Sequence, residues 1–198
     1  MRWFEKALKL SEAVSRLAIW IGGISVLGVT LLISAEVMLR KFFIVSTGGA
    51  DEISGYVLAI GFSWALSYTA LKRAHVRIDA LYTRTPLQIR AYLDCLSIVS
   101  LAVFAVILSY FCLQVVLDTI ELNARSNTTL GTPLWIPQVL WLMGLLLFSL
   151  TCILLSVLAV AALVRGDRMR VHELVGSRTA DEELAAEMSG SFITPEDR

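Results

Sequence analysis

Residues 134–164, LWIPQVLWLMGLLLFSLTCILLSVLAVAALV, contain no charged side chain at all. A helix crosses a hydrocarbon core of roughly 30 Å with about 20 apolar residues, because every backbone polar group must then be bonded within the segment. This stretch exceeds that length, so a spanning helix with some tilt or projection is expected. Pro133 and Pro137 stand at its start, where a missing backbone donor costs little. Working outward, three further stretches meet the same test, at about residues 93–117, 53–71 and 17–39. Most of the charged residues, 17% of the chain, gather in the segments between and beside them, and mean hydropathy is +0.72. A soluble globule would spread its charges over its surface, so the fold class expected is an all-α membrane protein of four transmembrane helices.

Orientation follows from lysine and arginine placement. Arg2, Lys6, Lys9 and Arg16 precede the first span; Lys72, Arg73, Arg77, Arg84 and Arg90 follow the second; Arg165, Arg168, Arg170, Arg178 and Arg198 follow the fourth. That puts fourteen of the seventeen positive charges on one side of a four-span chain, which marks that side as cytoplasmic and both ends with it. The division expected is an amphipathic interface segment at residues 1–16, a membrane domain at 17–164 and a partly disordered cytoplasmic tail at 165–198. The first segment reads either as a short helix in the headgroup layer or as an extension of the first span. The loop after the second span, with Pro86 at a helix start, is expected to hug the membrane surface, and Thr179 to Glu182 form a capping pattern in the acidic tail. The first span runs into Glu36, Arg40 and Lys41 rather than a small-residue cleavage site, so it is expected to stay as an anchor.

Chemistry is sparse. The formal net charge is +0, which offers no basic footprint for nucleic acid. His75 and His172 fall in the flanks, not where a four-helix haem protein needs ligands, so no cofactor is expected. Cys95, Cys112 and Cys152 have no close pair for zinc or dithiol chemistry and read as small apolar fillers. No serine, cysteine or threonine in the spans has a convincing histidine partner, so an enzyme is not expected. A carrier acting alone needs ionisable groups or broken helices near the midplane. Glu36 is the strongest candidate of that kind, yet it lies near the end of its span, four residues before Arg40, where an ion pair or a partner contact would suit it.

Two surfaces stand out. Glu36, Arg40, Lys41, Asp51, Glu52, Asp118, Glu121 and Arg125 form a charged periplasmic rim, either solvated or used for docking. Within the second span Gly55, Ala59, Ser63 and Ser67 recur every four residues, a small-residue face that lets another helix approach, in this chain or in a partner. Trp64 falls at mid-span and must face lipid or a partner helix.

The run from Gly48 to Asp79, GGADEISGYVLAIGFSWALSYTALKRAHVRID, resembles the signature of the small permease subunit of tripartite ATP-independent periplasmic (TRAP) transporters, the DctQ-like family. Arg40, the acidic pair Asp51 and Glu52, the loop residues His75 and Asp79, and Leu134 with Pro137 at the fourth span all have counterparts in that pattern. The resemblance implies a companion to a large permease subunit that binds substrate and sodium and moves elevator-fashion, fed by a periplasmic substrate-binding protein. It implies scaffolding of that large subunit and help in docking the binding protein, for uptake of organic acids by symport at the bacterial inner membrane. A different reading is a membrane anchor whose acidic tail recruits a cytosolic partner; membrane lipids are partners under both.

Overall fold

The computed structural model describes residues 2–43, 48–73 and 86–176. His75 and Asp79, most of the loop expected to hug the membrane, and the tail with its Thr179–Glu182 capping pattern lie outside the described residues. Five helices make up the rest: α1 Arg2–Phe43, α2 Ala50–Leu71, α3 Leu87–Glu121, α4 Trp135–Val164 and α5 Arg168–Val175. Four of them are long and apolar enough to cross a membrane.

The expected spans agree with these helices, α4 starting one residue inside its span, and α1, α2 and α3 run further. A count of apolar residues stops at the first charges, whereas intrahelical bonding continues through them. Thus α2 begins at Ala50 with Asp51 and Glu52 in its first turn, where carboxylates face the helix dipole favourably. Pro86 is the N-cap of α3, and Pro137 lies in the first turn of α4 behind its N-cap Leu134. Residues 2–16 continue into the first span as one helix. No proline or capping residue interrupts α1 there, and at 42 residues it is about 63 Å long.

The long helices stand in a row. α1 packs on α2, α2 on α4 and α4 on α3, with α4 between α2 and α3 and only a small contact between α1 and α4. α4 therefore buries two faces, through residues such as Gly144, Phe148, Cys152, Leu155 and Ala159. α1, at one edge, has none of its most apolar window buried inside the chain. In water that would be untenable; in lipid it requires no cover.

Close approach replaces hydrophobic sorting as the packing rule. A Cβ on Gly22 of α1 would lie 3.6 Å from the Cα of Gly61 in α2, so the two backbones meet nearly bare. Hydroxyls tie the other pairs: Ser109 to Ser149 at 2.8 Å joins α3 to α4, Ser156 Oγ donates to the Ile98 carbonyl at 3.1 Å, and Ser11 meets Thr151 at 2.7 Å between α1 and α4. Cys95 and Cys152 fill one core cluster and Cys112 another.

The end that bears the start of α1 and α5 is here termed basal, and the opposite end the rim. At the basal end α2 stops early, at Leu71, where Arg73 takes a left-handed φ of 57°. α3 and α4 run on past it. Gly166, at φ 76°, lets the chain reverse after α4, and Asp167 Oδ1 caps α5 by accepting from the Arg170 amide at 3.1 Å. α5 then folds back against α3 and α4, with Val171 and Val175 in the core beside Ala91, Cys95, Ala159 and Ala162. The arm of α1 closes the same space through Leu8 and through Glu12, which pairs with Lys72 at 2.6 Å.

Candidate functional site at the rim and on α2

The rim is built from a short segment on each side of α2. Between α3 and α4 the chain folds on itself: Arg125 and Pro133 form an antiparallel bridge, the Ser126 amide donates to the Thr132 carbonyl at 3.0 Å, and the Leu134 amide to the Ala124 carbonyl at 3.2 Å. This loop lies across the entry to α2. A Cβ on Gly49 would meet the Leu130 side chain at 2.6 Å, and Gly48, at φ 66°, faces Thr129. Gly48 is thus favoured by its backbone conformation, and any side chain at Gly49 would force Leu130 to shift.

Glu52 is the centre of this closure. Its carboxylate accepts from the Tyr56 hydroxyl at 2.6 Å and from the Thr128 hydroxyl on the overlying loop. Tyr56 lies four residues on, one helical turn along the same face. Glu36, near the end of α1, accepts from the Gly48 amide at 3.1 Å. Beside the ion pair with Arg40 or the partner contact expected from sequence, this bond tethers the end of α1 to the approach to α2. Arg40, Asp51, Asp118, Glu121 and Arg125 are exposed. The rim thus divides: two carboxylates bond inward, Glu52 to the overlying loop and Glu36 to the approach to α2, while charges of both signs face out.

Removing the Glu52 carboxylate should release the loop without unfolding the helices. Glu52→Ala is expected to speed amide hydrogen exchange across residues 124–134 by about tenfold, with α4 unchanged beyond its first turn. Unaltered exchange in that loop would show that Glu52 does not hold it.

The four small residues on α2 divide as well. Ser67 is wholly buried, and Ser63, 2% exposed, donates to the Ile60 carbonyl at 2.8 Å and faces Gly144 of α4. Gly55 and Ala59 are exposed, and a Cβ on Gly55 would meet nothing within 4 Å. Beside Ala59, Tyr56, Leu134, Pro137, Gln138 and Trp141 line a hollow of about 100 Å³ between α2 and α4. Trp64 is half-buried and meets α4, where its indole N–H donates to the Leu140 carbonyl at 3.0 Å.

Several residues escaped the sequence reading. Gly22, Gly61 and Gly144 mark close helix approaches. Asp94, in α3, is 1% exposed, with its Oδ2 3.8 Å from His172 Nδ1 of α5, and Arg73 Nη1 donates to the His172 carbonyl at 3.1 Å. A carboxylate inside an apolar run was a legible signal. Its partner, on a helix that folds back from the far end of the chain, was not.

Among the described residues no group of three histidine, cysteine, aspartate or glutamate side chains is placed to hold a metal ion. No curated protein and no solved structure matches the chain. A family model described as "Tripartite ATP-independent periplasmic transporters, DctQ component" matches residues 29–167. The match begins within α1, above its basal arm, and ends at the cap of α5, so it takes in α2, α3, α4, the rim loop and every residue of the small-residue face. The chain accordingly belongs to the DctQ family, the small membrane component of TRAP transporters.

Proposed function

We propose that this chain is the small subunit of a TRAP-type secondary transporter in the bacterial inner membrane, with both ends cytoplasmic, and that it enlarges the stationary scaffold of a large permease while its rim helps dock a periplasmic binding protein. Uptake of an organic acid coupled to sodium is the process served, with substrate and ion held by the large subunit. What supports this is the pairing of the family match with the chain's own interior: residues 17–35, 53–71, 95–117 and 135–164 contain no charged side chain. A single row of apolar helices without a midplane ionic site is suited to packing beside a carrier, not to carrying.

The contact with the large subunit is assigned to the rim half of α2, where Gly55 and Ala59 leave a groove and the hollow beside Trp141 can receive a side chain. Arg40, Asp51 and Arg125, exposed with mixed sign, suit recognition of a soluble partner by complementary charge. Glu52 and Glu36 serve that surface indirectly by shaping it. His75 and Asp79 remain assigned, through the family pattern, to the cytoplasmic loop.

Co-expression with a large permease separates a partner face from an internal one. Ala59→Leu is expected to lower recovery of the complex about tenfold, equal to ~1.4 kcal/mol, while the isolated chain unfolds as the wild type does. Ser63→Leu should instead destabilise the isolated chain. Equal recovery with Ala59→Leu would remove the groove from the interface, and a wild-type chain that never co-purifies with any large permease would remove the transporter reading.

A further inference from the structure

The basal arm of α1 has two unlike faces. Leu8, Ser11, Glu12 and Ser15 turn toward the bundle, where Glu12 is paired with Lys72 and Ser11 bonds Thr151. The opposite face presents Lys6, Lys9 and Arg16, all exposed, interleaved with Leu10, Leu17 and Trp20 at 67%, 63% and 70% exposure. At 100° per residue these six fall within about a third of the helix circumference, and Lys6 to Arg16 spans about 15 Å along the axis. Among the described side chains of the arm, no carboxylate shares that face.

The same face continues upward without a break. Ile24, Leu27 and Leu31 follow Trp20 on it, each at least 66% exposed. Whatever covers the cations therefore meets, directly above them, a long apolar strip and an indole at the boundary. One kind of molecule has an anionic group at one level and two apolar chains at the next.

We propose that this face of α1 binds anionic glycerophospholipid of the basal leaflet, the headgroup phosphates on Lys6, Lys9 and Arg16 and the acyl chains along the strip above Trp20. The inference goes beyond the transporter reading, since it concerns the chain's own perimeter and holds with or without a permease beside it. The basal end repeats the pattern where α4 turns into α5: Val164 and Met169 are 83% and 59% exposed, with Arg170 exposed beside them. A collar of this kind fixes the depth and tilt of the row of helices through attraction to the leaflet's negative surface. Continuity of rigid helix from the arm into the span transmits that positioning to α1 as a whole.

The test uses the purified full-length chain in phosphatidylcholine vesicles containing a trace of spin-labelled phosphatidylglycerol or, in parallel, spin-labelled phosphatidylcholine. The motionally restricted fraction reads lipid at the protein surface. Wild type is expected to select phosphatidylglycerol about fivefold, and 0.5 M salt should reduce that preference toward one because screening then acts within about 4 Å. Lys6→Gln with Lys9→Gln and Arg16→Gln should abolish most of it, and Lys9→Gln alone should lower it in part, which keeps the test decisive if the triple variant folds poorly. Arg125→Gln, at the rim, serves as a control that leaves the preference intact. Equal restriction of both lipids by wild type, or undiminished selectivity in folded Lys6, Lys9 and Arg16 variants, would overturn the assignment.

Discussion

Valine at Gly144 is expected to force α2 away from α4 and lower the stability of the chain by about 3 kcal/mol, at the upper end of what overpacking costs. The reason is backbone, not side chain. A Cβ at this position would lie 2.7 Å from Trp64 Cδ1 and 2.9 Å from the Trp64 amide nitrogen, with Ser63 Oγ nearer still. A side chain can rotate away; a backbone amide inside α2 cannot move without moving the helix. Separation would also stretch the bond from the Trp64 indole to the Leu140 carbonyl, now 3.0 Å. Equilibrium unfolding in mixed micelles, followed by helix content, gives the energy, and Gly144→Ala should fall between valine and wild type. A valine variant as stable as wild type would mean that α2 and α4 are not in such close contact.

Asp94→Ala should have the second largest effect, about 2–3 kcal/mol, concentrated in the docking of α5. Asp94 is nearly inaccessible in a cluster of alanine, cysteine and valine side chains, and a buried carboxylate persists only with compensation. His172 is part of that compensation, 3.8 Å away on α5, and the His172 carbonyl is held in turn by Arg73 at the end of α2. Three elements therefore meet at one charge. His172→Ala should also be costly, because it removes a compensating partner from a carboxylate that stays buried. The two changes together should cost less than their sum by at least ~1 kcal/mol, the coupling expected of side chains that share one interaction. Hydrogen exchange over residues 168–175 locates the effect; unchanged protection of α5 in Asp94→Ala, or strict additivity in the cycle, would count against the latch.

The sequence alone determined the four spans. Their signal is strong because a lipid-crossing backbone must bond to itself over about 20 residues, and only long uncharged runs can do so. It also determined the family, through the run from Gly48 to Asp79 and the acidic pair at Asp51 and Glu52. Part of the rim was within reach, since Tyr56 stands one turn from Glu52 and such pairs are readable by spacing. The loop that Glu52 holds was not, because Thr128 reaches it from a segment 76 residues away.

Only the tertiary structure decided which faces meet. In water a helix announces its buried side by the contrast of apolar and polar residues; in lipid both sides are apolar, and the buried side is chosen by shape. Small residues permit a contact without demanding one. Gly22 and Gly144 receive a neighbouring helix while Gly23 and Gly28 meet nothing within 4 Å, and on α2 Ser63 and Ser67 turn inward while Gly55 and Ala59 stay open. The α1–α2–α4–α3 order, the return of α5 and the Asp94–His172 pair follow from those choices. No periodicity of polarity records them, because the solvent on the other side is as apolar as the helices themselves.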